Sequence, residues 1–197
     1  MAASAEARKA RQLAEREARI VAAARALAEE QGWESVTTRR LAEAIDYSQP
    51  VLYGHFPGGR SEIVTAVAIV GFDELTAAMS GRGASLDADA SGAERVRAVV
   101  TTYLEFAERH PATYEAMFRL PIGTPFASPE TPRSLRDAFD AVVGAIRAID
   151  RPPADLETAA EVLWGAMHGV ATLRRAGRFD PAHHERRVDE LVRHFAR

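Results

Sequence analysis

The sequence predicts an all-α fold, on three observations. Ala-rich stretches place apolar residues at helical spacing. Caps and breakers such as Gly32, Ser48 and His110-Pro111 punctuate the chain. No segment alternates apolar and polar residues in the way a half-buried strand would. With 197 residues the chain can bury a substantial core, in one domain or two small ones. The expected division is a flexible arm over 1–14, a three-helix domain over 15–60 and a larger helical domain over 61–197.

The first helix is expected over 12–31, with Ile20, Ala24, Leu27 and Ala28 on one face and Gly32 ending it. Trp33 and Val36 then close a three-helix core. A second helix runs from about Thr38 to Ile45, capped by Thr37 or Thr38, with Leu41, Ala42 and Ile45 as its buried stripe. Asp46 and Tyr47 make the turn, Ser48 is a good N-cap, and Pro50 sits in the first turn of a third helix that begins at Gln49. On that helix Leu52 and Phe56 pack inward, which turns Gln49, Pro50, Val51 and Tyr53 outward. Two short helices joined by a sharp turn are a helix-turn-helix. The outward set of an amide, apolar contacts and a phenol suits base edges, a thymine methyl and a phosphate oxygen.

The run TTRRLA, then SQPVLYGHF, then an acidic and apolar helix resembles the amino-terminal domain of the TetR family of bacterial transcriptional regulators, over about residues 15–70. The resemblance implies that the helix beginning at Gln49 lies in the major groove. It implies that Arg39 contacts a base edge, with guanine O6/N7 its partner, and that Gln49 reads a base, adenine by preference. Pro50 and Val51 would add apolar contacts, while Thr38, Tyr53 and His55 would hold phosphates. Many members carry Lys just after the motif's aromatic residue; this chain has Gly58, Gly59 and then Arg60, which takes the phosphate role in the same reading.

Further along, a fourth helix starts near 59–61 and carries Ile63, Val64, Val67, Phe72 and Leu75 toward residue 80; it should couple the two parts. Residues 81–92 read as a loop, 93–109 as a helix stopped by His110-Pro111, and 112–119 as a short helix. Residues 120–132 hold four prolines, so an irregular loop anchored by Phe126 is expected. Helices resume at about 133–149, 155–176 and 182–196.

Within the second part, Trp164, His168 and Gly169 resemble the Trp-His-Gly signature of one class of TetR-type carboxy-terminal domain, the WHG domain. Regulators of that type bind a small effector between helices. Tyr103, Phe106, Tyr114, Met117, Phe118, Phe139, Trp164 and Met167 are candidate walls, and the same set also reads as plain core. His168 reads either as a core histidine on a backbone carbonyl or as a polar wall of that pocket. Gly165 and Gly169 stack on one face, and with the stripe of Leu191 and Phe195 they are candidates for a dimer contact. A homodimer is required on geometric grounds, because one reading helix covers too few base pairs.

Residues 1–70 hold nine Lys and Arg against nine Asp and Glu, so this is no generic basic nucleic-acid binder; Arg8, Lys9 and Arg11 nevertheless cluster in the arm. Zero Cys removes disulfides, thiolate nucleophiles and zinc-thiolate sites. No apolar run long enough to span a bilayer and no apolar leader is evident, which points to the cytoplasm. His168 has no carboxylate or second His at i±4, and Asp180, His183 and His184 read as an exposed helix start, so neither a metal nor a cofactor is implied. Enzyme motifs such as HExxH, GxSxG or a phosphate-binding Gly-rich loop are absent. The expected function is therefore a DNA-binding repressor, dimeric on a palindromic operator and released by an apolar or aromatic effector. The alternative is a helical small-molecule-binding protein without sequence-specific DNA binding.

Overall fold

The structure, a computed structural model, describes residues 2–125 and 128–196, with no account of the side chains of residues 2–4. Phe126, the expected loop anchor, lies outside the described residues. In chain order the helices are α1 (Ala2–Gln31), α2 (Thr38–Ile45), α3 (Gln49–His55), α4 (Arg60–Ala84), α5 (Gly92–Arg109), α6 (Pro111–Phe118), α7 (Arg133–Arg147), α8 (Leu156–Arg175) and α9 (His184–Phe195). Single 3-10 turns occur at Trp33–Ser35 and Pro181–His183, and no strand occurs among the described residues. The chain forms two compact units, Met1–Gly71 with His110–Pro125, and Phe72–Arg109 with Phe126–Arg197. A linear cut at residue 60 does not anticipate this, because α6 belongs with the amino-terminal unit.

The first unit closes over Ile20, Ala24, Trp33, Val36, Leu41, Leu52, Ile63 and Val67, all buried. α1 begins at Ala2 rather than near residue 12, so the expected flexible arm is helical from its second residue. Residues 5–16 are exposed throughout. No packing dictates helix there; a run of Ala, Arg, Glu, Lys, Gln and Leu has the intrinsic propensity to extend one already nucleated by the buried turns around Ile20. An apolar stripe, which the sequence reading needed to start a helix, is not required to continue one. The Trp33 indole N–H donates to the Ala112 carbonyl at 2.8 Å, which fixes α6 to the turn after α1.

α4 contributes its first part to one unit and the remainder to the other. By length and composition it is apolar enough to cross a membrane, an 18-residue stretch of it reaching a mean hydropathy of 1.5, an apolar run not expected from the sequence. Its Ile63, Val67, Phe72 and Leu75 are instead buried in protein.

In the second unit α5 packs against α7, α8 and α9, with Val96, Val100, Tyr103, Leu163, Met167 and Val188 buried. Ser91 and Glu94 form a capping box at the start of α5: Glu94 Oε2 accepts from the Ser91 amide (2.8 Å) and hydroxyl (2.7 Å), and the Glu94 amide donates back to Ser91 Oγ. Asp155 caps α8 by accepting from the Thr158 amide at 3.0 Å. Both carboxyls are held below their ordinary range by these hydrogen bonds.

Candidate nucleic-acid interface

The helix-turn-helix forms where the caps and the apolar stripe direct it. Thr37 accepts from the Arg40 amide at 3.2 Å and starts α2, whose Leu41 and Ala42 are buried. Asp46 ends the helix in the left-handed region (φ 60°), its amide donating to the Ala42 carbonyl. An Asp tolerates that conformation better than a branched residue would. α3 follows from Ser48, which takes the N-cap backbone position without a side-chain cap bond, and Pro50 stands in the first turn where no N–H is needed. Leu52 and Phe56 turn inward.

That packing leaves one open face. Gln49 and Pro50 are exposed, Val51 is 39% exposed and Tyr53 48%, large values for apolar and aromatic side chains. The Tyr53 ring lies along the turn after α3, where a Cβ on Gly59 (φ +60°) would stand 3.3 Å from its Cε1. Arg39, on the first turn of α2, keeps its guanidinium side chain 74% exposed with only a loose 3.9 Å approach to Glu43. Thr38 is half-buried beside it.

Two residues expected on phosphates have partners within the protein. The His55 side chain is only 6% exposed, and its Nδ1 lies 3.4 Å from Glu17 Oε1 on α1. The turn of α3 that buries Phe56 carries His55 toward α1 instead of the open face. Arg60 donates from Nε to the Val36 carbonyl and from Nη2 to the Trp33 carbonyl, both at 3.0 Å. The Gly58-Gly59 turn brings it back over the 3-10 segment, where the Trp33 carbonyl also accepts from the Val36 amide. Sequence reading also missed three contacts around the motif. Arg19 Nη1 donates to the Tyr47 hydroxyl (3.2 Å) and stacks its guanidinium over that ring, Glu17 meets His55, and Glu62 accepts from the Gly58 amide at 2.8 Å. All join residues whose partners no local spacing reveals, except Glu62, whose place in the first turn of α4 is a helix-start signal.

The candidate effector walls divide between the units. Tyr114, Met117 and Phe118 fall in the first, where the rings of Tyr114 and Phe118 meet at 4.8 Å and Met117 packs on Gly71. Tyr103, Phe106, Phe139, Trp164, Met167 and His168 fall in the second. There Trp164 stacks with Phe139 at 5.8 Å and meets Tyr103 edge-on at 6.1 Å, while Phe106 and Met167 are buried. His168 Nε2 lies 3.4 Å from Thr172 Oγ1, one turn along α8. Open space in this unit lies elsewhere, in a groove of about 310 Å³ between α4, α5 and α7 that includes Met79, Arg95, Val99 and Ala145, and in another of about 260 Å³ beside Ile149, Pro153 and Phe195, neither lined by the candidate effector walls. A Cβ on Gly165 or Gly169 would meet nothing, and Val162 (55%) and Leu173 (42%) on the same helix are exposed; Leu191 and Phe195 on α9 are half-buried. Among the described residues no group of three His, Asp or Glu is arranged to hold a metal ion.

Comparison with known proteins fits this geometry. Residues 20–67 match the family described as bacterial regulatory proteins, tetR family, and residues 96–196 match the tetracyclin repressor-like C-terminal domain. That second match carries the family and not the Trp-His-Gly subtype. A Mycobacterium tuberculosis protein named as an uncharacterized HTH-type transcriptional regulator, Rv0681, is 27% identical over 82% of this chain and 71% of its own length. Among solved structures, a Rhodococcus sp. RHA1 protein of unknown function superposes with a TM-score of 0.76 at 25% identity, over 92% of this chain and 95% of that one. The regulator RolR, solved with resorcinol, gives 0.68 at 18% identity over 95% and 90%. BioQ, solved with its double-stranded DNA operator, gives 0.65 at 22% over 91% and 97%. These last two likenesses show the fold. With both of its halves matched, the chain belongs to the TetR family, and it is a transcriptional regulator with a helix-turn-helix DNA-binding domain rather than an enzyme.

Proposed function

We propose that the chain is a cytoplasmic repressor that binds a palindromic operator as a homodimer and is released by a small, mainly apolar effector. The observation that carries the DNA reading is the open face of α3, where Gln49, Val51 and Tyr53 stand clear with Arg39 exposed on α2. Gln49 and Arg39 supply base-edge hydrogen bonds, Pro50 and Val51 apolar contact, and Tyr53 and Thr38 phosphate contacts. His55 supports the head from within, and Arg60, an exposed residue, ties the start of α4 to the Val36 and Trp33 carbonyls. Two-fold pairing sets the reading helices about 34 Å apart.

The dimer reading is supported by the outer face of α8, where Val162, Gly165, Gly169 and Leu173 leave an apolar, small-residue track that another helix can approach closely. For the effector, the groove between α4, α5 and α7 offers more open space than the packed aromatic cluster, and its lining is mostly apolar. A ligand that favours a conformer with altered head spacing weakens DNA binding by its differential affinity, typically about 1–3 kcal/mol. The test is substitution on a selected site: Arg39→Ala and Gln49→Ala should each relax discrimination at one base position per half-site by ~1–3 kcal/mol with the fold intact. Unchanged discrimination in both would remove the reading.

A further inference from the structure

The exposed beginning of α1 has no role in packing, and its charges are ordered. Arg8, Lys9, Gln12, Arg16 and Arg19 fall within about 100° of one another around the helix, at about 100° per residue. Glu6 and Glu17 fall on the face that Ala24 and Ala28 continue into the core, and Glu17 is occupied by His55. Glu15, beside the cationic stripe, approaches Arg11 at 3.6 Å with both side chains well exposed. Between residues 5 and 19 there are five Arg and Lys against three Glu, in a domain that is otherwise neutral or acidic.

The stripe is tied in place relative to the reading head. Arg19, its last member, donates to the hydroxyl of Tyr47 in the turn that opens α3. From there the helix rises about 1.5 Å per residue, so the stripe extends roughly 16 Å from Arg19 back to Arg8. Leu13, 50% exposed, is the single large apolar residue before Ile20 among the described residues. A partner helix would need an apolar seam and a membrane surface an apolar face, and one Leu supplies neither. What remains is a helical row of cations suited to a polyanion.

We propose that the first four turns of α1 are a helical rail for the DNA backbone, lying along phosphates outside the base pairs that α3 reads. The proposal rests on the DNA-binding reading and extends its footprint outward. A rail differs from a flexible basic tail because its charges act only in helical register, the ordering entropy having been met in the free protein.

The test uses the full-length protein and a duplex selected by it from a random-sequence pool, in a minimal form and with about five further base pairs on each side. Affinity is measured against salt for the wild type, for Arg8→Gln/Lys9→Gln/Arg16→Gln, and for Ala10→Pro, which keeps every charge and breaks the helix. The wild type should bind the longer duplex more tightly, and the triple variant should lose that gain, with a log-log salt slope shallower by about 0.9 for each phosphate no longer neutralised. Ala10→Pro should lose the gain as well. Equal slopes and affinities for wild type and triple variant on the long duplex would overturn the rail and leave the reading by α3 standing. A proline variant that binds as the wild type does would also overturn it, in favour of a flexible tail. Should the wild type select no duplex at all, the rail falls together with the reading on which it rests.

Discussion

Glu29 Oε1 accepts from both the amide (2.9 Å) and the hydroxyl (2.8 Å) of Thr113, while its Oε2 accepts from the amide of Ala112 at 2.9 Å. One carboxylate on α1 thus caps α6, whose own N-cap residue, His110, makes no side-chain cap bond. The two free amides at a helix start that would otherwise need water are met by a residue more than eighty positions away. Because the accepting group is charged, each bond is stronger than a neutral one. Glu29→Ala should lower stability in urea unfolding by about 2–3 kcal/mol, and Glu29→Gln by less, since its one carbonyl still accepts. Equal stability of Glu29→Ala and wild type would show that the clamp does not hold α6.

Arg60 separates two roles that resemblance and structure assign differently. With Nε and Nη2 on the Val36 and Trp33 carbonyls, Arg60→Ala should cost about 1–3 kcal/mol of stability. The salt slope of DNA binding should stay as in the wild type. A slope shallower by about 0.9 per half-site would return Arg60 to a phosphate.

Gly92 marks a close approach that only glycine permits. A Cβ there would lie 2.3 Å from Ile149 Cα and 2.7 Å from the Ala148 carbonyl, both backbone atoms that cannot swing aside. Gly92→Ala should therefore destabilise by about 1–3 kcal/mol despite alanine's better helix propensity, as a thermal melt would show. At Gly165, where a Cβ meets open space, the same substitution should be neutral or stabilising in the isolated protomer and should weaken self-association.

The capped carboxyls give a pH dependence of defined sign. The Ser91 hydroxyl and amide hold Glu94 below the ordinary carboxylate range, and the Thr158 amide does the same for Asp155. A carboxyl lowered on folding contributes stability above its unfolded pKa and loses it as pH falls through its folded one. Both caps should therefore stabilise at neutral pH and weaken below about pH 4, the unfolded carboxylate range. Ser91→Ala should reduce stability at pH 7 more than at pH 2, measured by urea midpoint. An identical loss at both would show that the serine acts through packing.

Most of the fold was legible because its signals are local. Thr37, Ser48 and Pro50 mark helix starts, and Leu41, Leu52 and Phe56 mark a buried stripe, all within a dozen or so residues of one another. What was not legible depends on distant partners. The helix over residues 2–11 has no apolar pattern to announce it, α6 joins the first unit through Glu29 and Trp33, His55 is drawn inward toward a carboxylate, and Arg60 is held by carbonyls that family position does not reveal. The aromatic residues of the second unit fit both pocket walls and plain core in the sequence, since both uses select the same side chains.

A dimeric repressor of this kind must present α3 twice per assembly to the major groove. The most direct measurement is selection of bound duplexes from a random-sequence pool by the full-length protein. The expected result is enrichment of a palindrome whose half-sites are centred about one helical turn apart, roughly 10 base pairs or a multiple. Recovery of sequences without two-fold symmetry, or of no enriched sequence, would contradict it.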